Sequence, residues 1–346
     1  MRQLPSLTPL RGIAALTVLI HHLAAGPHDP VLPRFFLRGH LGVDLFFMLS
    51  GFVLAHVHLQ TFLGEISWRT VGAFLWVRFA RVYPMHFVVT LVLIAAGGAA
   101  SLSAGDVVAN LVLMQVPWHV AIINEPSWSL SAELYAYLLF PFLALWLWRG
   151  DGRLAGALSF LLLIALEALA VAVSGDLRGA SDGWPALARG LIEFTLGVLA
   201  YRSFHDAQRS AWWQSDVALA AVVAALALAF AYSPDDGVVV AVFPLLLLAA
   251  VGNAGIATRL LNAAPLRRLG DVSYSLYLAQ IFAITAASGV ARTSAGAALG
   301  LNGLRVLTVV AAFGISTLFY RCVEVPCRSF LRDAPGRVRD MLARAA

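Results

Sequence analysis

Arg11 and His22 are spaced so that both side chains lie on one face of a single helix. They fall within the apolar stretch LRGIAALTVLIHHL, residues 10–23. Eleven steps of about 100° make three turns plus roughly 20°, which leaves the two side chains about 16 Å apart along the axis. Ionisable side chains are costly in hydrocarbon, and an imidazole suits general-base chemistry. The spacing therefore predicts a functional pair within an apolar helix.

Two carboxylates are expected at a depth similar to that of His22. Asp44 begins the next apolar segment, and Glu133 lies near the start of a later one, beside Trp128 and Ser129. A carboxylate next to an imidazole fixes its tautomer and stabilises its cation. We predict His22 as a general base oriented by Asp44, with Glu133 sharing that task or binding the acceptor, and Trp128 and Ser129 contacting substrate at the mouth. The alternative is that each is an ordinary polar contact between helices.

A pair of arginines, Arg78 and Arg81, lies in the segment WVRFARVYPMHF. Residues three apart share a helix face, and paired guanidiniums bind phosphates through planar arrays of donors. The spacing predicts a site for a phosphate-rich donor arriving from the cytoplasm, to which Arg11 is expected to contribute. The alternative is an anchor of the kind that places arginines on the cytoplasmic side of membrane proteins.

These residues lie in a chain whose amino-acid composition is typical of a membrane protein. Of 346 residues, 60% are hydrophobic and 12% are charged, whereas soluble domains carry about 25% charged residues. Apolar runs of about 20 residues fit membrane helices rather than barrel strands. We predict an all-α membrane protein with about ten transmembrane helices. They cover residues 7–25, 41–60, 82–100, 130–148, 154–174, 186–203, 214–232, 238–254, 272–290 and 303–321.

The distribution of arginine predicts that both termini are cytoplasmic. All 24 basic residues are arginines, and with this orientation most of them lie on the cytoplasmic side, as the positive-inside rule requires. The net charge of +5 is therefore no sign of nucleic-acid binding. The arginines left for the outer loops are Arg34, Arg38, Arg178, Arg189, Arg292 and Arg305.

This topology requires that residues 107–123 do not cross the membrane. Pro117, Trp118 and His119 interrupt the segment, which predicts a re-entrant or interfacial helix on the outer side. Residues 1–330 are predicted to form one transmembrane domain, and residues 331–346 a short basic cytoplasmic tail on the anionic leaflet. The sequence carries no signal for an oligomeric state, and its histidines have no spacing that predicts a metal site.

An ordered set of motifs resembles the acyltransferase-3 family of membrane O-acyltransferases, which modify bacterial polysaccharides, peptidoglycan, lipids and some secondary metabolites. The set extends over nearly the whole chain in the family's order. It comprises RGIAALTVLIHH, GVDLFFMLSGFVL, RFARVYP, PSWSLSAELYAYLLFP, LGDVSYSLYLAQ and YRCVEVPCR. The resemblance implies functional roles for an arginine and a histidine in the first helix, an aspartate in the second, an RxxR element implicated in acyl-CoA use, and a Trp-x-Leu-x-x-Glu element. The matching residues are Arg11, His22, Asp44, Arg78, Arg81, Trp128, Leu130 and Glu133.

Two features differ from many members of that family. Gln280 stands where relatives often have a histidine, and a glutamine cannot titrate near neutral pH. Tyr274, in the same motif, is expected either to line a donor tunnel or to belong to an interfacial aromatic belt. The chain has no room for the SGNH hydrolase-like domain fused to many relatives, so the membrane domain is expected to complete the transfer alone.

The residues and the resemblance together imply a multi-pass protein of the bacterial inner membrane. It is expected to move an acyl group, most simply acetyl, from acyl-CoA to a hydroxyl of a cell-envelope glycan or lipid-linked sugar, with no permanently bound cofactor and no metal. The alternative is a proton-coupled secondary transporter or flippase of an envelope precursor, because intramembrane carboxylates and histidines also form proton relays. The absence of an internal repeat argues against a transporter.

Overall fold

The computed structural model describes residues 4–24, 34–64, 66–149, 152–173, 177, 180–207, 210–233 and 235–332. Within these ranges the protein is all-α, as predicted, and contains no strand. The α-helices are α1 Leu7–His22, α2 Arg34–Leu37, α3 Gly42–Gly64, α4 Trp68–Ala95, α5 Ala104–Leu111, α6 Trp128–Arg149, α7 Gly152–Val173, α8 Gly183–Ala207, α9 Asp216–Tyr232, α10 Asp236–Gly252, α11 Ile256–Leu261, α12 Ala264–Ala291 and α13 Ser294–Phe319. Short 3₁₀ turns cover Gly39–Leu41 and Glu125–Ser127, and a π-helical turn covers Tyr320–Glu324.

Five helical segments of the described chain are long and apolar enough to cross a membrane. They are Gly39–Gly64, Trp68–Ala95, Glu125–Trp148, Ala264–Ala291 and Ser294–Arg332. Each of the ten predicted segments overlaps one of the long helices, but ten crossings and a cytoplasmic position of both termini stay predictions. The fold class that the structure establishes is therefore an all-helical protein with five candidate membrane spans.

Close contacts between helices are made at glycines. A Cβ on Gly51 of α3 would overlap the carbonyl oxygen of Phe194 in α8, and one on Gly197 of α8 would overlap the backbone of Met48. Gly270 of α12 approaches the backbone of α1 in the same way. Small residues let helix backbones pack closely where no hydrophobic force drives association. These crossings bring α3 beside α8 and α1 beside α12, which places Arg11 next to the start of α12.

The segment predicted as a re-entrant or interfacial helix is only partly helical. Helix α5 ends at Leu111, and Leu113 and His119 adopt left-handed backbone angles with φ of 62° and 53°. Asn110 is buried and fixes the loop, because its Nδ2 donates to the carbonyl of Ala121 while its Oδ1 accepts from the backbone N–H of Ile123. The segment is therefore a short helix followed by a hydrogen-bonded loop, and its position relative to a membrane stays a prediction.

The chain leaves α13 through the π-helical turn and remains helical to Arg332. One extra residue per turn changes the face that the following side chains present, and such turns are frequent at functional sites. Residues 333–346, which form most of the predicted basic tail, lie outside the described residues.

Candidate functional site

A cavity of about 370 Å³ lies between α1, α3, α4, α6, α12 and the segment that follows α13. Seven of the residues singled out in the sequence line it: Arg11, Arg78, Arg81, Ser129, Leu130, Glu133 and Tyr274. Tyr274 also donates from its hydroxyl to the backbone carbonyl of Val82, at 2.5 Å. The first helix, the RxxR element and the Trp-x-Leu-x-x-Glu element therefore converge on one volume.

One part of this cavity is strongly basic. Arg78 and Arg81, three residues apart on α4, both line the cavity, as does Arg11 of α1. The Nη1 of Arg81 lies 3.1 Å from the Oε1 of Glu324, which is buried. The Nε of Arg78 is buried and meets no acceptor among the described residues. This part of the cavity offers guanidinium donors to an anionic ligand.

Glu133 faces the cavity from α6. Its Oε1 accepts a hydrogen bond of 2.6 Å from the hydroxyl of Ser50 on α3, and Tyr137 is a further hydrogen-bonding neighbour. Arg11 is within electrostatic range of both Glu133 and Tyr137. The structure thus places Glu133 with Arg11, although the sequence argument placed it at the depth of His22.

Two hydroxyl groups meet at another point of the cavity lining. The oxygens of Ser129 and Tyr277 lie 2.9 Å apart, and the Tyr277 hydroxyl also donates to the carbonyl of Pro126, at 2.9 Å. The ring of Phe46, 5.6 Å from that of Tyr277, lies against the same point. Gln280 follows Tyr277 by about one helical turn and donates from Nε2 to the Tyr277 carbonyl.

His22 lies beyond these hydroxyls and does not line the cavity. Its ring has the side chain of Gln280 as a hydrogen-bonding neighbour and Glu125 and His40 as electrostatic neighbours. The backbone of Val18 is a further hydrogen-bonding neighbour of the ring. The structure therefore places His22 beside Gln280 and Val18, outside the cavity lining.

Asp44 is engaged by a residue other than His22. Its Oδ1 accepts from Nε of Arg189, at 3.1 Å, and its Oδ2 accepts from Nη2, at 2.6 Å. Arg189 also donates to the carbonyl of Leu177 and lies over the ring of Trp128, with its guanidinium carbon 5.1 Å from the ring centroid. The side-chain contacts therefore do not show the predicted pairing of Asp44 with His22. Asp44 and Trp128 belong instead to a buried cluster around Arg189.

Arg189 was assigned above to an outer loop, and the structure places it inside α8 with 2% of its surface exposed. It lies within the apolar segment 186–203, so a charged residue in a predicted span was the signal for its importance. Ser50, Tyr137 and Glu324 were also missed. Ser50 and Tyr137 are spaced like ordinary helix residues, and nothing in the sequence distinguishes them.

The described residues contain no group of three or more histidine, cysteine, aspartate or glutamate side chains that could hold a metal ion. Other ligand classes fit the lining better. Guanidiniums at one part of the cavity suit phosphates, and hydroxyls at another suit a polar group or a reacting carbonyl.

Apolar helices long enough to cross a membrane, around a cavity lined by arginines, indicate a membrane protein. The family described as "Acyltransferase domain" matches residues 4–321. "Acyltransferase MdmB" of Streptomyces mycarofaciens is 31% identical over 379 aligned positions, covering 95% of this chain and 92% of that protein. The chain therefore belongs to the acyltransferase-3 family, which confirms the resemblance seen in its motifs.

Other relatives match shorter stretches. "Protein 2 in picA locus" of Rhizobium radiobacter is 43% identical over 88 residues, 25% of this chain and 41% of that protein. "Putative peptidoglycan O-acetyltransferase YrhL" of Bacillus subtilis (strain 168) is 26% identical over 191 residues, 49% of this chain and 28% of that protein. No solved structure matches the chain.

Proposed function

We propose that this protein is an acyl-CoA-dependent O-acyltransferase of the bacterial inner membrane that transfers an acyl group, most simply acetyl, to a hydroxyl of an envelope glycan or lipid-linked sugar. One observation carries the proposal. A single cavity joins an arginine-rich region to the Ser129–Tyr277 hydroxyl pair, about one helical turn from Gln280, the neighbour of His22.

The donor occupies the cavity. Arg78, Arg81 and Arg11 bind the CoA phosphates, because guanidiniums form charge-assisted hydrogen bonds to phosphate oxygens. The unpartnered Nε of Arg78 supplies one such donor. The pantetheine arm extends past Tyr274 and Ser129, which line the same cavity. With the N-terminus cytoplasmic, Arg11 lies on the side of the membrane where acyl-CoA is made.

His22 is the proposed general base. It accepts the proton of the acceptor hydroxyl, and the oxygen attacks the thioester carbonyl carbon. The carbon–sulfur bond breaks, and the proton passes to the leaving thiolate, so that the products are an ester and free CoA. The acyl end reaches His22 past the hydroxyls of Ser129 and Tyr277. Gln280, whose side chain is a hydrogen-bonding neighbour of His22, contacts the acceptor beside it.

The remaining predicted residues support these groups in the proposal. Glu133, joined to Ser50 and electrostatically to Arg11, positions the guanidinium of Arg11 in the donor site. Asp44 acts through Arg189 on Trp128, which begins the helix that carries Ser129 and Glu133. Asp44 is therefore proposed as a positioning residue.

A hydroxyl acceptor is supported by the relative whose name specifies peptidoglycan O-acetylation. The alignment with this chain covers only 28% of that relative. The relative matched over 92% of its length is named only as an acyltransferase. The hydroxyl, rather than a particular glycan, is therefore the firmest part of the acceptor assignment.

Membranes that contain the native acceptors provide the test, with release of free CoA thiol from acetyl-CoA as the readout. We expect His22→Ala to lower turnover at saturating acetyl-CoA by about 100-fold or more, the usual contribution of a general base. Arg78→Ala should instead raise the KM for acetyl-CoA. The matched controls are His119→Ala, at an exposed loop histidine, and Arg69→Ala, at an exposed position of α4.

Wild-type turnover in His22→Ala would remove His22 from the mechanism. The rival function is distinguished in sealed vesicles without acyl-CoA. Uptake of a labelled envelope precursor under a proton gradient, with no thiol release from acetyl-CoA, would favour a transporter and refute the proposed transfer.

A further inference from the structure

Three ionisable residues after α13 share one helix face. Glu324, Arg328 and Arg332 are spaced four apart, and residues four apart are neighbours on a helix. Arg328 and Arg332 both line the cavity, and Glu324 is buried behind it. Arg321, Arg328 and Arg332 are all exposed, but Arg321 does not line the cavity.

This segment is fixed to the helices that form the donor site. Glu324 pairs with Arg81 through Oε1 and accepts from the hydroxyl of Ser275 through Oε2, at 2.7 Å. Seven residues later, the carbonyl of Leu331 accepts from the indole nitrogen of Trp76 on α4, at 2.9 Å. The segment is therefore tied to α4 on both sides of Arg328, which fixes the backbone that carries its two cavity-lining arginines.

Five guanidiniums and one carboxylate, that of Glu133, are the charged groups of the described residues that line this cavity. Arg328 has Arg81 and Arg332 as electrostatic neighbours of like charge and Glu324 as a neighbour of opposite charge. Like charges held close together repel one another, and a bound anion relieves that repulsion. Four of the five arginines come in two pairs from two elements, with Arg11 on a third element, and CoA carries two anionic groups, a diphosphate and a 3′-phosphate on the ribose.

We infer that Arg328 and Arg332 bind the 3′-phosphate of CoA, leaving Arg78 and Arg81 to the diphosphate. The inference rests on the proposed acyl-CoA donor and adds a specificity determinant to it. A phosphate monoester carries about −1.5 to −2 charges and three acceptor oxygens, which suits two guanidiniums. The enzyme therefore selects CoA over dephospho-CoA, which keeps the diphosphate and lacks the 3′-phosphate.

Equilibrium binding of CoA and dephospho-CoA to the full-length protein in lipid nanodiscs tests this. The wild type should bind CoA about tenfold or more tightly than dephospho-CoA, since charge-assisted hydrogen bonds to a phosphate are lost. In R328A/R332A the ratio of the two affinities should approach one, because affinity for CoA falls while affinity for dephospho-CoA is largely kept. The control R321A, which removes an arginine of the same segment that does not line the cavity, should keep the wild-type ratio.

A wild-type ratio that persists in R328A/R332A would overturn the inference and leave the acyl-CoA donor intact. Failure of the wild type to bind either nucleotide would overturn the donor as well. Competition on the wild type decides the matter even if the double variant does not fold. Adenosine 3′,5′-bisphosphate should displace CoA better than adenosine 5′-diphosphate does, and equal displacement by the two would refute a 3′-phosphate site.

Discussion

The pair formed by Asp44 and Arg189 yields the sharpest prediction about how this bundle holds together. Asp44 has none of its surface exposed and Arg189 has 2% exposed, so neither charge is solvated by water. Replacement of Asp44 by alanine leaves the guanidinium with the carbonyl of Leu177 and with Glu193, whose Oε1 lies 3.4 Å from Nε. We expect Asp44→Ala to destabilise the protein because a buried charge loses its principal partner.

The magnitude follows from that environment. Removing one member of a buried ion pair costs about 3 to 5 kcal/mol, and the remaining contacts to Arg189 favour the lower value. At about 2.1 cal/mol/K per residue, a chain of 346 residues has an unfolding entropy of about 0.7 kcal/mol/K. A loss of about 3 kcal/mol therefore lowers the unfolding midpoint by about 4 °C.

The assay is thermal unfolding in detergent at a fixed heating rate, for wild type, Asp44→Ala, Arg189→Met and the double variant. Replacing both members of a buried pair by neutral groups is often nearly neutral, whereas removing one is not. The double variant should therefore lose less stability than the two single variants lose together, and the difference, the coupling energy, should be about 1 to 3 kcal/mol.

Activity distinguishes this explanation from a direct role in the reaction. If Asp44→Ala unfolds within 1 °C of the wild type, an interval smaller than the shift of about 4 °C expected above, yet transfers no acyl group, the role of Asp44 is not to stabilise the fold through this ion pair. A stabilising role for Asp44 would then be refuted, and pairing with His22 would become the better explanation.

Two further predictions concern a helix contact and the hydroxyl pair. Gly51→Ala should lower the unfolding midpoint, because the new Cβ overlaps the carbonyl of Phe194 and overpacking costs about 1 to 3 kcal/mol. The control Gly72→Ala, where nothing lies within 4 Å, should not lower the midpoint. Equal midpoints in the two variants would count against the close contact between α3 and α8. Tyr277→Phe removes the contact to the Ser129 hydroxyl and should raise acetyl-CoA hydrolysis relative to acyl transfer. Thiol release with and without acceptor membranes measures the ratio of the two reactions. An unchanged ratio would show that the hydroxyl pair does not keep water away from the acyl donor.

The helices were predictable because about 20 consecutive apolar residues have few alternatives to an α-helix in a membrane. The start of α4 was not. The prediction began at residue 82, whereas the helix begins at Trp68, capped by Ser67. Arg69, Arg78 and Arg81 lower the hydropathy of this first half, although arginine is a good helix former. Hydropathy therefore missed the part of α4 that carries the paired arginines.

The candidate site was likewise predictable only in part. Arg78 and Arg81 line one cavity because residues three apart on a helix share a face, which the sequence alone reveals. Depth along a span can also be read from the sequence, but the rotation of each helix about its axis cannot. Asp44 and His22 were matched by depth, and the partner of Asp44 proved to be Arg189, 145 residues away. Such a contact depends on how α3 and α8 pack against each other.

The contact between Ser129 and Tyr277 has a consequence for the cell as well as for the reaction. An enzyme that takes a charged donor from one compartment and an acceptor from the other, as proposed here, must not become a pore for protons. The hydroxyls of Ser129 and Tyr277 contact each other, and the ring of Phe46 lies against that of Tyr277, so these side chains narrow the passage between the arginines and His22. The route for the acyl group can thus stay narrow enough to preserve the electrical insulation of the bilayer during turnover.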